Sequence, residues 1–224
     1  MKKRSKVIKD LIMDKINVLQ ALESLSFMLE DIGSEEIITW VNSELSGYSA
    51  EEDVPDYRKV NAILIGDLQV GYAVYSNVNI PIVDKEALEL FGSAKITSPV
   101  STIMHMSKAE EQIEDHCLCM EANTVLVNHY KASNGTVIRA HSKLSMYSYS
   151  NMLAKIKDKL LIIFKELERN YGNLDDLYID FSDIEKRNAV IEKIESVIYN
   201  DNSVIIGDNN VIKDSVVGDN NENR

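Results

Sequence analysis

Trp40-Val41-Asn42-Ser43-Glu44-Leu45-Ser46-Gly47-Tyr48, followed by Pro55-Asp56-Tyr57-Arg58, joins the end of a helix to a turn and then to a strand. Just upstream, Ser34-Glu35-Glu36-Ile37 supplies a helix start. Ser is a good N-cap, and acids in the first turn meet the positive end of the helix dipole. Ile37, Trp40, Val41, Glu44 and Leu45 fall at i, i+3, i+4, i+7 and i+8, one helical stripe that is apolar except for Glu44. Gly47 stands where a helix takes a left-handed terminating residue, and Pro55 bars a return to helix. The spacing predicts a helix stop whose Trp anchors the turn on a sheet. Glu44 is either a boundary residue or the partner of Arg58. Such a buried pair would fix the loop's geometry without implying catalysis.

Working outward, residues 5–32 read as one helix, with Val7, Ile8, Leu11, Ile12, Ile16, Leu19, Leu22 and Leu25 at helical spacing. Phe27, Met28 and Leu29 widen its apolar face, so that end is expected to be the deeper one. Gly33 separates it from the helix over 34–46. Residues 57–149 are strand-rich. Runs 60–65 and 69–75 read as two strands around Gly66-Asp67, and 78–82 as a short extended edge segment containing Pro81. Residues 84–91 suit a short helix stopped by Gly92, and Ser107 suits the cap of another running to about residue 114. The runs 124–130 and 136–140 flank Asn134-Gly135 and read as a hairpin. Two helices follow. The first, 150–169, has the stripe Leu153, Ile156, Leu160, Ile163, Phe164 and Leu167, with Lys155, Lys157, Lys159 and Lys165 on its remaining surface. The second, 184–199, starts at Ser182 or Asp183 and carries Ile184, Val190, Ile191, Ile194 and Ile198.

The last residues repeat. Ser203-Val204-Ile205-Ile206-Gly207-Asp208-Asn209-Asn210 is echoed by Ser215-Val216-Val217-Gly218-Asp219-Asn220-Asn221, with Val211-Ile212-Lys213-Asp214 between. Short β-branched runs broken by Gly-Asp-Asn-Asn resemble a β-solenoid, whose corners need left-handed turn residues. Two copies are too few to bury a core alone. Stacking with other chains would complete one and makes the tail an oligomerisation element, with a trimeric β-tip as one form. Val204, Ile206, Gly207, Asn209, Val211, Val217, Gly218 and Asn220 would carry it. A disordered polar terminus and a hairpin folded onto its own domain are the alternatives. The expected architecture is α+β, with an N-terminal helical arm, a central mostly antiparallel strand region, long C-terminal helices and this tail. An α+β domain over 1–198 carries the tail over 199–224.

At 224 residues the chain can bury a substantial core. A net charge of −12 and a pI of about 4.8 argue against a general nucleic-acid binder, which needs a basic surface. The basic start Lys2-Lys3-Arg4 is followed by no long apolar run, so neither a secretory signal nor a membrane span is expected. Cys117 and Cys119 make no disulfide framework. The natural expectation is a cytoplasmic protein.

His105, His116, Cys117, Cys119 and His129 cluster in sequence, but their spacing fits no standard zinc motif, and buried structural thiols are the expectation. Met104 and Met106 read as packing. Phosphate-binding glycine loops and the nucleophile elbow are missing from the sequence. Glu110-Glu111, Glu114-Asp115 and Asp175-Asp176 read as solvated surface rather than a nuclease centre. Tyr147-Ser148-Tyr149 reads as packing. No catalytic constellation is recognisable, and neither a cofactor nor a metal is expected.

The run Trp40 to Arg58 resembles the signature of the AbiTii domain of bacterial abortive-infection proteins: a W-V-x-x-E-L-x-G-Y helix end, then P-x-Y-R within about one loop. Ser46 departs from it, standing where Asn is common. The resemblance extends from near the N-terminus to about residue 198, where residues 156–168 match the family's long helix less specifically. Phage defence is the context this implies, with no transferable catalytic residue. Trp40, Glu44, Gly47, Tyr48, Pro55, Tyr57 and Arg58 are thus candidates for folding or partner contact alike. Three functions are compatible with the sequence: an oligomeric defence module that senses a phage component or a second defence protein, a toxic nuclease or hydrolase, and an adaptor outside defence.

Overall fold

The segments before and after residues 59–145, joined by one helix from within that stretch, build a helical layer, and the strands of that stretch build an antiparallel sheet; the computed structural model describes residues 4–49, 51–109, 117–132, 134–145 and 147–199. The tail repeat, His116 and the acids at 110–115 lie outside the described residues.

The N-terminal arm is α1 (Lys6–Ile12), α2 (Val18–Met28) and α3 (Glu35–Ser46). Residues 5–32 are therefore not one helix. The chain turns at Asp14, whose φ is 52°, and restarts at Asn17. Asn17 and Gln20 form a reciprocal capping box, which satisfies backbone donors at a new helix start. The apolar periodicity spans the break and conceals it. Met28 and Leu29 are buried as expected, but Phe27 is exposed.

A short 3-10 turn (Asp56–Arg58) leads into β1 (Lys59–Val70) and β2 (Ala73–Asn79). Gly66-Asp67 is not the turn between them. β1 runs through it with a bulge, and the reversal is at Gly71-Tyr72. Gly66 is needed there because a Cβ would lie 2.2 Å from the carbonyl oxygen of Arg139 on the neighbouring strand. The bulge re-aims Asp67 onto Arg139, at 2.7 Å.

Next come α4 (Lys85–Phe91), β3 (Ser93–Lys95), α5 (Val100–Ala109) and β4 (Cys117–Glu121). Asp84 caps α4 as its sequence suggests. Ser107 caps nothing. It lies inside α5, which starts after Pro99 and buries Val100 and Ile103. Ile82 lies past the end of β2 and makes only a single bridge, to Lys131.

α6 (Thr124–Tyr130), β5 (Thr136–Ser145), α7 (Tyr147–Tyr171) and α8 (Ile184–Tyr199) complete the described chain. The expected 124–130 strand is thus a helix. Asn123 caps it through Val125 and Leu126, and only Val127 of its β-branched run is buried. The hairpin partner of β5 is replaced by one side chain. The Asn128 amide both donates to and accepts from the backbone of Val137, at 2.8 Å each way.

The strand order is β2-β1-β5-β4, with β3 pairing the start of β1, and every pairing is antiparallel. One core joins α1, α2, α3, α5, α7 and α8 to Val60 and Leu144 of the sheet. A smaller one packs Ala87, Phe91 and Val127 against Leu64, Val137 and Ala140. α7 is the spine of the larger core. Its buried residues Met152, Ile156, Leu160, Ile163, Phe164 and Leu167 contribute about 1.5–3 kcal/mol each by leaving water. α8 buries Val190, Ile194 and Ile198, while Ile184 faces solvent. Among the described residues, no helix is long and apolar enough to cross a membrane.

Candidate functional site

The signature residues meet around one carboxylate. α3 carries Trp40 and Glu44 on its buried stripe, and Gly47 ends it with φ 95°. A Cβ at Gly47 would lie 2.9 Å from the carbonyl oxygen of Thr97, so the chain passes the β3–α5 loop too closely for any side chain there. Tyr48 N then donates to that same oxygen at 2.8 Å. Pro55 opens the 3-10 turn, and its carbonyl accepts from Arg58 N at 2.8 Å. The turn delivers Tyr57 and Arg58 inward.

Glu44 and Arg58 are both completely buried. Arg58 Nη2 donates to Glu44 Oε2 at 2.7 Å and Arg58 Nε to Oε1 at 3.0 Å, the two-pronged geometry that suits guanidinium and carboxylate. Tyr48 and Tyr57 hydroxyls each donate to Oε1 at 2.7 Å. Trp40 Nε1 donates to the Tyr57 hydroxyl at 2.8 Å. The other prong of Arg58, Nη1, donates to the carbonyls of Ile96 and Ser98 at 3.0 and 2.7 Å. Its guanidinium also stacks 4.7 Å above the Tyr48 ring.

Burial pushes the Tyr48 and Tyr57 hydroxyls well above the usual phenol range, and the negative charge of Glu44 pushes them further. Both stay protonated donors. For Arg58, burial opposes the charge, but the hydrogen bonds and charge of Glu44 outweigh it, and the guanidinium is held above its ordinary range.

Lys159 was expected on the solvated surface of α7. It is buried instead, with Nζ donating to the carbonyls of Val197 and Ile198 at 2.7 and 3.2 Å and lying 5.2 Å above the Tyr57 ring. Those carbonyls are unpaired within the last turn of α8, and a cation there satisfies them. The end of α8 is thus tied to the signature through one side chain. The spacing from Ile156 to Lys159 to Ile163 places it on the buried stripe, which is the signal in the sequence that identifies it.

Outside this network is a cleft of about 350 Å³ bordered by Trp40, Tyr48, Pro55, Lys59 and Tyr199. Glu52, Asp53 and Asp56 edge it, with Asp56 2.8 Å from Lys59 and Asp53 3.2 Å from Lys95. The hydrogen bond from Lys95, then the charges of Lys59 and Lys95, hold Asp53 below the ordinary carboxylate range.

The other candidates do not converge. Cys119 is exposed on β4, His105 is on α5 and His129 on α6. Among the described residues, no three His, Cys, Asp or Glu side chains come together as a metal would require. Tyr149 is buried and Tyr147 exposed at the start of α7, and Asp175-Asp176 is exposed.

Compared with known proteins, the chain matches the family model described as AbiTii over residues 5–193. No curated protein and no solved structure matches it.

Proposed function

Since this chain belongs to the AbiTii family, we propose that it serves bacterial defence against phage by abortive infection, as a homo-oligomeric module that senses or binds a phage component or a second defence protein. The observation that carries a binding rather than a catalytic role is the state of Glu44. Its two oxygens take four hydrogen bonds, and both phenols beside it are spent on it. A general base must lie within reach of a substrate proton, which this fully buried carboxylate does not, and a nucleophile needs a base of its own. The signature builds a rigid joint among α3, the β3–α5 loop and α8. The surface it stiffens is the cleft of Tyr48, Pro55 and Tyr199, with Trp40 buried beneath it, where rigid aromatic groups suit partner contact. Residues 201–224 supply the assembly element.

Phage challenge of cells expressing the full chain tests this, with plaques and survival scored at low and high phage dose. Protection at low dose, with infected cells dying at high dose, is expected. Deleting residues 201–224 should abolish protection and lower the native mass together. Soluble expression without protection against a broad phage panel would overturn the reading.

A further inference from the structure

Two clefts flank the last turn of α8, where residues 200–224 leave the described chain. One is the signature cleft, which holds Tyr199 and is edged by Glu52, Asp53 and Asp56. The other, about 440 Å³, lies between α7 and α8. Its floor is apolar, made by Ile162, Ile163, Ile194 and Val197. Its rim carries Lys165, Arg169 and Lys193 around the single carboxylate of Glu166, which Arg169 and Lys193 each approach at 3.6 Å. In a chain of net charge −12 this is a local reversal of sign.

Residues 201–224 hold five acids and two bases, so the second cleft, with three cations around one carboxylate, favours them over the first, where three acids face Lys59. Their first apolar run, Val204-Ile205-Ile206, comes after Asn200-Asp201-Asn202, residues suited to a tight reversal. α7 and α8 run antiparallel, since Lys159 meets Val197 and Ile198 while Glu166 meets Lys193. A chain reversing after Tyr199 would therefore travel along α7 from Ile162 toward Arg169. That stretch of helix rises about 10 Å, and four extended residues span about 13 Å.

We propose that residues 203–206 fold back on their own chain and lie extended in the α7–α8 groove, with Val204 and Ile206, which share one face of an extended segment, on the apolar floor and the flanking acids, Asp201 and Asp208, against the rim cations. A three-residue link makes this an intramolecular event at roughly millimolar effective concentration. The second copy of the repeat, residues 215–221, is then presented away from the groove. Seating the first copy does not depend on how many chains assemble through the second, so the native mass and the groove contact are separate observables.

Cysteine pairing in the full chain, with Cys117→Ser and Cys119→Ser as background, tests the seat. Ile162→Cys, at a position 38% exposed, is combined in turn with Val204→Cys, Ile205→Cys and Ile206→Cys, and Lys165→Cys serves as a second groove position. Mild oxidation followed by peptide mass spectrometry should give an intrachain link at one or more of the three tail positions. Its yield should be at least about fivefold above that for Val216→Cys or for Thr39→Cys in the signature cleft, as a pre-formed contact requires. Links only between chains, a preference for Thr39→Cys, or tail yields equal to the Val216→Cys control from both groove positions would overturn the proposal.

Discussion

Arg58 grips Glu44 with two nitrogens, at 2.7 and 3.0 Å, and neither side chain has any exposure to solvent. Removing either charge strands the other in a medium that cannot solvate it, which costs about 3–5 kcal/mol. Arg58→Met and Glu44→Gln should each lower the thermal midpoint by roughly 6–20 °C for a chain of this size. Circular dichroism melts check this, and unchanged midpoints in both would contradict it. Arg58→Lys should recover little, because an ammonium cannot serve two oxygens and two carbonyls with one planar fork.

Trp40 is the single Trp, so fluorescence reports on this joint alone. Tyr57→Phe removes the acceptor of Trp40 Nε1 and one donor to Glu44, both in the interior. A loss of about 1–3 kcal/mol is expected, with a change in the Trp emission of the folded state. Tyr48→Phe, at the half-buried edge, should cost less. Urea unfolding followed by emission ranks the two, and the reverse order would sink this account.

Alkaline stability follows from the raised phenols. In the unfolded chain Tyr48 and Tyr57 lose their protons near pH 10, while in the fold they hold them. Above that pH the folded state binds more protons than the unfolded one. The contribution is complete below pH 10 and is lost as pH rises, by up to about 1.4 kcal/mol per pH unit for each group. Urea midpoints at pH 9 and 11 should fall further for the parent than for Tyr57→Phe. Equal falls would show that Tyr57 ionises freely.

Gly47 and Gly71 both have positive φ, but only Gly47 is crowded. Gly47→Ala should cost about 1–3 kcal/mol, because it adds backbone strain to a clash with Thr97. Gly71→Asn, at an open hairpin turn, should stay within about 0.5 kcal/mol of the parent. Thermal melts of the pair separate conformation from packing, and equal losses would remove the role given to the Thr97 contact.

The signature was legible because each of its residues obeys a local rule. Ser34 caps, the stripe from Ile37 to Leu45 buries, Gly47 terminates, and a Glu on an apolar stripe calls for a cation such as Arg58. The α8 boundaries were legible for the same reason. The misses share another cause. At Asn128 and Gly66 the decisive partner is distant in sequence: an amide standing in for a strand, and a carbonyl pressed against a bulge. Alternating Val125 and Val127 fit a strand as well as a helix, and only the Asn123 cap tips the balance. Lys159 was missed because a Lys on a long helix is ordinarily solvated, and what overrides that is the end of α8, 38 residues on.

The helical layer is interrupted in the chain. α1, α2 and α3 precede the sheet, while α7, which packs on α1 and α2, and α8, which packs on α3, follow it, and Ser5 N and Oγ both donate to Glu168. Every strand of the described sheet has been synthesised by residue 145, yet Leu22 and Leu25 on α2 lack the cover of α7, and Trp40 on α3 lacks that of α8, until those helices are made, and there is no fastened joint until Lys159 meets the end of α8. An interrupted message therefore yields a product with a wide oily face, prey for proteases. Only a chain made through α8 can close the layer, so the order of synthesis itself acts as a check that the helical core is whole.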